Sequence, residues 1–352
     1  MTDGGPREIR YPHSEPPAPG EAVTVAEGIL WLRFPLPMAL DHVNVYALDD
    51  GDGWTLVDTG VDTRKSRAIW QDVLAGPLAG KPVARVILTH HHPDHVGLAG
   101  WFAREHGAEL LASRVAWLTA RMLTLDEQPL PALETALFWR RAGMAGDHLE
   151  ARLSERPFNF ADVVAPIPLG FTRLEDGGRL SIGGRGWTVR FGQGHAPDHA
   201  TFWSDDGEVV LGGDQLLPSI SPNLGVYATE PEADPVAEWL TSIERLAPHA
   251  TPSQLVLPGH KLPFRGLPSR LDQLAENHHG ALARLRLHLA EPRTAAECFD
   301  PLFRRRIGAG EYGLALVEAV AHCNHLWQAG EAERLTDPDG AWRFRMKGDG
   351  DG

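Results

Sequence analysis

Nine consecutive residues, Thr89-His90-His91-His92-Pro93-Asp94-His95-Val96-Gly97, constrain this chain more than any other stretch. His90, His92, Asp94 and His95 are side chains of the types that bind zinc or iron. The preceding run, Arg85-Val86-Ile87-Leu88-Thr89, is apolar and β-branched and reads as a buried strand. In a strand, positions i and i+2 share a face. His90 and His92 can therefore bind one metal where the strand runs on or ends. Pro93 stops the strand and Val96 begins a helix, so Asp94 and His95 sit on the turn between them, facing a second metal. The ordinary alternative is a solvated, histidine-rich turn. Three histidines in a row, followed by an Asp-His pair at a strand-to-helix junction, are hard to obtain by chance.

The pattern His90-x-His92-x-Asp94-His95 resembles the signature of the metallo-β-lactamase superfamily. The resemblance implies an α+β chain with the αββα sandwich, one or two metals at one edge of that sandwich, and further ligands downstream in a fixed order. Gly192-Gln193-Gly194-His195-Ala196-Pro197-Asp198-His199 is similar to the superfamily loop in which a histidine completes the first metal site. His195 would be that ligand, His199 would orient rather than bind, and Asp198 is given no role. The apolar strand Val209–Gly213 ends at Asp214, which matches the bridging carboxylate. Two oxygens of one carboxylate can each hold one of two cations roughly 3.5–4 Å apart. A last strand leads through Pro258-Gly259 to His260, the final ligand of the second site. Leu56-Val57-Asp58-Thr59-Gly60 resembles a further motif, in which Asp58 supports ligands by hydrogen bonds without touching metal. The implied ligand set is His90, His92, Asp94, His95, His195, Asp214 and His260. The implied cofactors are two divalent ions, zinc first, with iron and manganese as alternatives.

The chain of 352 residues is long enough for one large domain and a small one. Residues 1–22, rich in Pro, Gly and Glu, read as a flexible arm. Residues 23–267 carry the successive short strands and every candidate ligand. The stretch between His95 and His195 exceeds what regular sandwich elements need, and residues at about 120–165 read as a helical insertion. Its Met122, Leu123, Leu137, Phe138, Trp139, Met144 and Phe158 are candidates to roof the metals with an apolar pocket. Trp139, with Asn223 and Tyr227 after the Asp214 strand, are the candidate substrate contacts. Residues 268–352 read as helices followed by a hairpin, with a capping box at Thr294–Glu297 and a helix stopped by Gly330. This is similar to the winged-helix-type appendix of some superfamily members. A DNA-reading version needs a basic third helix. Here that helix carries Glu311, Glu318, His322 and His325, so packing or homodimer formation is the expected role.

Lysine and arginine number 33 against 47 aspartates and glutamates, a net charge of −14. Such a surface repels phosphate backbones, so nucleic acid is a poor first substrate. No run of about 18 apolar residues exists to span a membrane. The first eight residues lack an apolar core, so no export signal is expected. The two cysteines, Cys298 and Cys323, cannot build a disulfide framework, which fits a reducing cytoplasm. The resemblance implies a hydrolase in which two metals turn a shared water into hydroxide, which attacks a carbonyl carbon, with Asp94 both a ligand and a proton acceptor. The first expectation for the small-molecule substrate is a thioester or ester with a bulky apolar acyl group, as in the glyoxalase II-like branch. Lactones come second and β-lactams third. Phosphodiester or RNA cleavage is disfavoured by the charge. A flavin-bearing relative is not expected, because no flavodoxin-like domain follows residue 268. A non-catalytic metal-binding regulatory protein is the remaining class, and a full ligand set argues against it.

Overall fold

The computed structural model describes residues 8–348; the first seven residues of the expected arm and the last four of the chain lie outside the described residues. The chain forms two compact units. The first takes in residues up to Glu127, Phe158–Pro222 and Arg245–Leu271, and the second Gln128–Pro157, Asn223–Glu244 and the residues from Asp272 onward. The stretch read as an insertion is thus shared between the two.

The first unit is an α+β sandwich. One sheet runs β1 (Val23–Ala26), β2 (Ile29–Pro35), β3 (His42–Asp49), β4 (Trp54–Val57), β5 (Val83–Ile87), β6 (Glu109–Ser113) and β7 (Thr172–Leu174), each strand beside the next. Pairing is antiparallel from β1 to β4 and parallel from β4 to β7. Parallel steps need crossovers, which α1 (Arg64–Ala75) supplies from β4 to β5 and α3 (Ala99–His106) from β5 to β6. The second sheet contains β8 (Arg179–Ile182), β9 (Arg185–Gly192), β10 (His199–Ser204), β11 (Val209–Gly213) and β12 (Leu255–Pro258). It is antiparallel except for the β11–β12 pair.

Burial follows the two-residue period of a strand on both faces of the first sheet. Leu32, Phe34, Val43, Val45, Ala47 and Leu56 pack into one core with Trp70 of α1 and Phe102 of α3. Trp31, Tyr46, Leu48, Val57, Ile87 and Leu111 point the other way, into a core shared with Trp187, Phe202, Leu211 and Leu257 of the second sheet. Sheets buried on both faces read as near-continuous apolar runs, which is why these strands are so legible. α1 opens at Thr63, whose hydroxyl accepts from the Ser66 N–H, and α4 (Arg114–Leu125) opens at Ser113 in the same way. Residues 8–22 are tied to this unit: Arg10 exchanges backbone hydrogen bonds with Arg265, and the His13 ring meets Trp31 edge-on.

The second unit holds α5 (Leu133–Arg141), α6 (Gly146–Ser154), most of α7 (Pro235–Leu246) and α8 (Leu267–His288), then α9 (Phe299–Phe303), α10 (Tyr312–Gln328) and the hairpin β13 (Ala332–Thr336)–β14 (Trp342–Met346). α10 is buried on nearly every side from Ala315 to Leu326. The capping box at Thr294 opens a 3-10 turn, Ala295–Cys298, before the short α9. Phe138 and Met144, read as pocket-lining candidates, are core residues here. Met122, Leu137 and Phe158 are exposed. Among the described residues no helix is long and apolar enough to cross a membrane.

Two buried histidines face each other inside the second unit. Nδ1 of His322 donates to the Glu318 carbonyl at 2.9 Å, which leaves its Nε2 bare toward Nδ1 of His278 at 3.3 Å. Burial pushes His278 down to about 3 and His322 down to about 4. Both rings stay neutral in the fold, while in the unfolded chain they take up protons near the ordinary value of 6.5. Stability is therefore complete above pH 6.5 and is lost as pH falls from there toward 4. Chemical-denaturant midpoints should drop between pH 7 and pH 5, and His278→Leu should flatten that slope. A wild-type midpoint unchanged over this range would contradict the assignment.

Candidate metal centre

The candidate ligands and Asp58 all lie past strand ends, whereas His199 opens β10. Asp58 follows β4, His90 to His95 follow β5, His195 lies on the β9–β10 turn, Asp214 follows β11 and His260 follows β12. One expectation is corrected. β5 stops at Ile87, so His90 and His92 are not on the strand. Beyond it the chain bends at Thr89 and His91, held where Leu88 N–H donates to the Leu111 carbonyl and the Thr89 carbonyl accepts from Ala200 N–H. The two rings still converge, 4.6 Å between centroids. Pro93 does not end the strand but begins a one-turn helix, α2 (Pro93–Val96), capped by His92. Its fixed φ suits the first helical position. Asp94 and His95 are thus helical rather than on a turn.

The seven candidate ligands come together. His90, His92 and His195 form one group, Asp94, His95 and His260 another, and His90 and His95 a third with Asp214; the donor atoms within each group lie within 4.8 Å of one another. Nε2 of His95 is 3.4 Å from Oδ1 of Asp214 and 3.6 Å from Oδ2 of Asp94. Nε2 of His260 is 3.4 Å from Oδ2 of Asp94 and 3.2 Å from Oδ2 of Asp214. Nε2 of His195 is 3.4 Å from Oδ2 of Asp214, and Nε2 of His90 is 2.9 Å from Nδ1 of His92. A tetrahedral cation with bonds of about 2.0–2.2 Å holds its ligand atoms roughly 3.4 Å apart. Most of these gaps match that spacing and exceed a good hydrogen bond of about 2.7–3.2 Å. The donor set therefore fits divalent metal.

The electrostatics agree. Burial, with the neighbouring imidazoles, pushes His90 and His92 well below the ordinary histidine value, so both offer bare nitrogens. Burial also opposes a proton on His95 and His260. There the carboxylates win: Asp214, Asp94 and Asp58 hold His95 well above its usual value, and Asp214 with Asp94 holds His260 up at about 10. Burial opposes the charge on Asp214, but His260 and His95 hold its carboxyl well below the usual range. A carboxylate pair that draws protons onto adjacent imidazoles will equally draw a cation.

Asp58 and His199 orient this set. Oδ2 of Asp58 accepts from His95 Nδ1 at 2.7 Å and from the Thr89 hydroxyl at 2.7 Å, and its Oδ1 accepts from Thr89 N–H at 2.9 Å. The Thr89 hydroxyl also lies 2.9 Å from His90 Nδ1. One carboxylate thereby aims two rings. It does so from a left-handed backbone, φ 63°, unusual for a residue with a side chain. Nε2 of His199 accepts from Asp214 N–H at 3.1 Å, and its ring stacks on His90 at 4.5 Å. Glycine is required at 259, where a Cβ would lie 2.2 Å from Oδ1 of Asp214. Thr89 escaped the sequence reading because it passes for an ordinary strand residue. Asp198, given no role there, exchanges hydrogen bonds with Gln193 and closes the turn that carries His195. Asn223, Tyr227 and Trp139 belong to the second unit. There the Asn223 amide donates to the Leu314 carbonyl at 3.1 Å and to Glu318 at 2.7 Å, Tyr227 is exposed and Trp139 is half-buried.

Comparison with known proteins agrees with this geometry. The family model described as metallo-beta-lactamase superfamily matches residues 38–260, and one described as metallo-beta-lactamase-like, C-terminal domain, matches residues 282–347. A curated relative from Bacillus subtilis (strain 168), named probable metallo-hydrolase YqjP, is 26% identical over 85% of this chain and 92% of its own length. A metallo-beta-lactamase type 2 from Bacillus sp. (strain 170) is 26% identical over 64% of this chain and 69% of its own. Among solved structures, a beta-lactamase domain protein from Burkholderia ambifaria aligns with a TM-score of 0.89 at 35% identity, covering 96% of this chain and 98% of that one. A metallo-beta-lactamase family protein from Thermus thermophilus aligns at 0.76 with 29% identity, covering 92% and 100%.

The Asp58 network yields a direct test. Asparagine tolerates the left-handed backbone, so Asp58→Asn removes the charge and one acceptor while sparing the turn. Metal affinity should fall about 10–100-fold in competition with a chelator. Unchanged affinity would mean that Asp58 does not orient the ligands.

Proposed function

Because the chain belongs to the metallo-β-lactamase superfamily, as a metallo-hydrolase, we propose that it hydrolyses an acyl substrate, a thioester or ester first, at two divalent cations held side by side. Zinc is the first expectation, with iron and manganese as alternatives. The observation that carries this reading is the division of the donors about one carboxylate. His90, His92 and His195 form one group and Asp94, His95 and His260 another, and Asp214 meets both, its Oδ2 3.4 Å from His195 Nε2 and 3.2 Å from His260 Nε2.

A divalent cation in such a site supplies Lewis-acid polarisation of a carbonyl and activation of water. The chain supplies the rest. Buried His90 and half-buried His92 present neutral nitrogens, and Asp58 with Thr89 holds the His95 and His90 rings in register. The Asp94 side chain is 20% exposed, against 0% for His95, 2% for His260 and 8% for Asp214. Asp94 is therefore the more open of the two carboxylates in the set, and we assign it proton acceptance. No serine or cysteine nucleophile is needed. The bulky acyl group is carried over from the glyoxalase II-like resemblance, with the exposed Leu118, Met122 and Leu125 of α4 as apolar surface in the same unit. The net charge of −14 disfavours a phosphodiester backbone. The relative named metallo-beta-lactamase adds β-lactams to the candidates, after lactones.

Metal analysis should find two divalent ions per chain. In a panel of acyl thioesters, esters, lactones, β-lactams and phosphodiesters, the thioesters or esters should turn over fastest. A chelator should abolish that turnover, and His195→Ala should bring it to background. Fully metallated protein that hydrolyses no panel member would defeat the hydrolase reading in favour of a binding protein.

A further inference from the structure

We propose that β3 is a template that presets the His260 side of the metal centre, with Asn44 as its positioning residue; this rests on the metal reading above. His42, Asn44 and Tyr46 alternate along β3 and so share one face. It is the face that Tyr46 and Leu48 turn toward the second sheet. All three grip the turn Pro258-Gly259-His260-Lys261. Asn44 is 1% exposed, and its Nδ2 donates to the Pro258 carbonyl at 2.9 Å and the Lys261 carbonyl at 2.8 Å. Its Oδ1 accepts from Trp31 Nε1 at 2.9 Å, and its backbone N–H donates to the Gly259 carbonyl at 2.7 Å. The amide orientation is settled by this set, since reversal would point its NH2 at the Trp31 N–H.

The neighbours of Asn44 complete the grip. Tyr46 donates its hydroxyl proton to the Pro258 carbonyl at 2.9 Å, and Lys261 N–H donates to His42 Nε2 at 2.9 Å. Nδ1 of His260 donates to the His42 carbonyl at 2.7 Å. That last bond keeps a proton on Nδ1 and aims Nε2, the atom that would bind metal, at Asp94 and Asp214. Lys261 is held at φ 70°, a left-handed conformation that a side chain disfavours and that these bonds enforce. The grip is one-sided. It brackets His260 on both flanks, whereas His90 and His92 take their setting from Thr89 and the β5 end.

The consequence is unequal sensitivity of the two cations. Stepwise zinc titration against a chromophoric chelator should show two equivalents in the unaltered protein. Asn44→Ala should weaken one equivalent about 10–100-fold and leave the other within about twofold. The weakened equivalent should be the one that His260→Ala removes. Tyr46→Phe, which keeps every Asn44 bond, should weaken the same equivalent by less, and it carries the test if Asn44→Ala fails to fold. Equal weakening of both equivalents would reduce Asn44 to general support of the fold and overturn the proposal. Unaltered binding in both variants would overturn it too. Unaltered protein that takes up no zinc would instead overturn the metal-centre reading.

Discussion

The carboxylates of Asp58, Asp94 and Asp214 are gathered among imidazoles at strand ends of one sandwich. Removing charge from water costs several kcal/mol per ion unless partners are close and well aimed. Here the partners are His95, His195 and His260, and the strain at Asp58 and the glycine at 259 are features that aiming them requires. The strong upward shifts at His95 and His260 express the same demand for positive charge. A cation answers that demand with two charges and fixed bond lengths, which protons on imidazoles do not provide.

Precision at the site comes from the cores beneath it. The first sheet is packed on both faces, against helices on one and against the second sheet on the other. Side chains on such strands have little room to shift, because protein interiors are close-packed. The donors therefore emerge from anchored backbone. Backbone bonds tie those anchors together: Ala200 to Thr89 and Asn44 to Gly259 between the sheets, and Gly259 to Gly213 within the second. β3 contributes to both ends of this arrangement, with Val43 and Val45 in one core and His42, Asn44 and Tyr46 facing the other sheet.

What was legible in the sequence was the set of donors and the elements that carry them. His90, His92, Asp94, His95, Asp214 and His260 follow strongly apolar runs and His195 follows the alternating run 187–191, and alternation with turn residues marks such runs without reference to the rest of the chain. The Thr294–Glu297 pair announced its capping box, because capping is a contact between near neighbours. The exact end of β5 was not legible: pairing of Leu88 with Leu111 and of Thr89 with Ala200 decides it, and those partners are distant in sequence.

The tertiary structure alone decided which polar strand residues matter. Thr89 and Asn44 carry no local mark, since threonine is an ordinary strand former and a lone asparagine in an apolar run has no fixed meaning. Their roles exist only where Asp58 meets β5 and where β3 meets the turn after β12, contacts that for Asn44 span more than two hundred residues. The division of the helical stretch near residues 120–165 between two units is of the same kind. Local chemistry and period are written in neighbouring residues, so sequence determines which groups are present and roughly where elements begin. Hydrogen-bond partners across sheets depend on register and packing, which only the folded chain supplies.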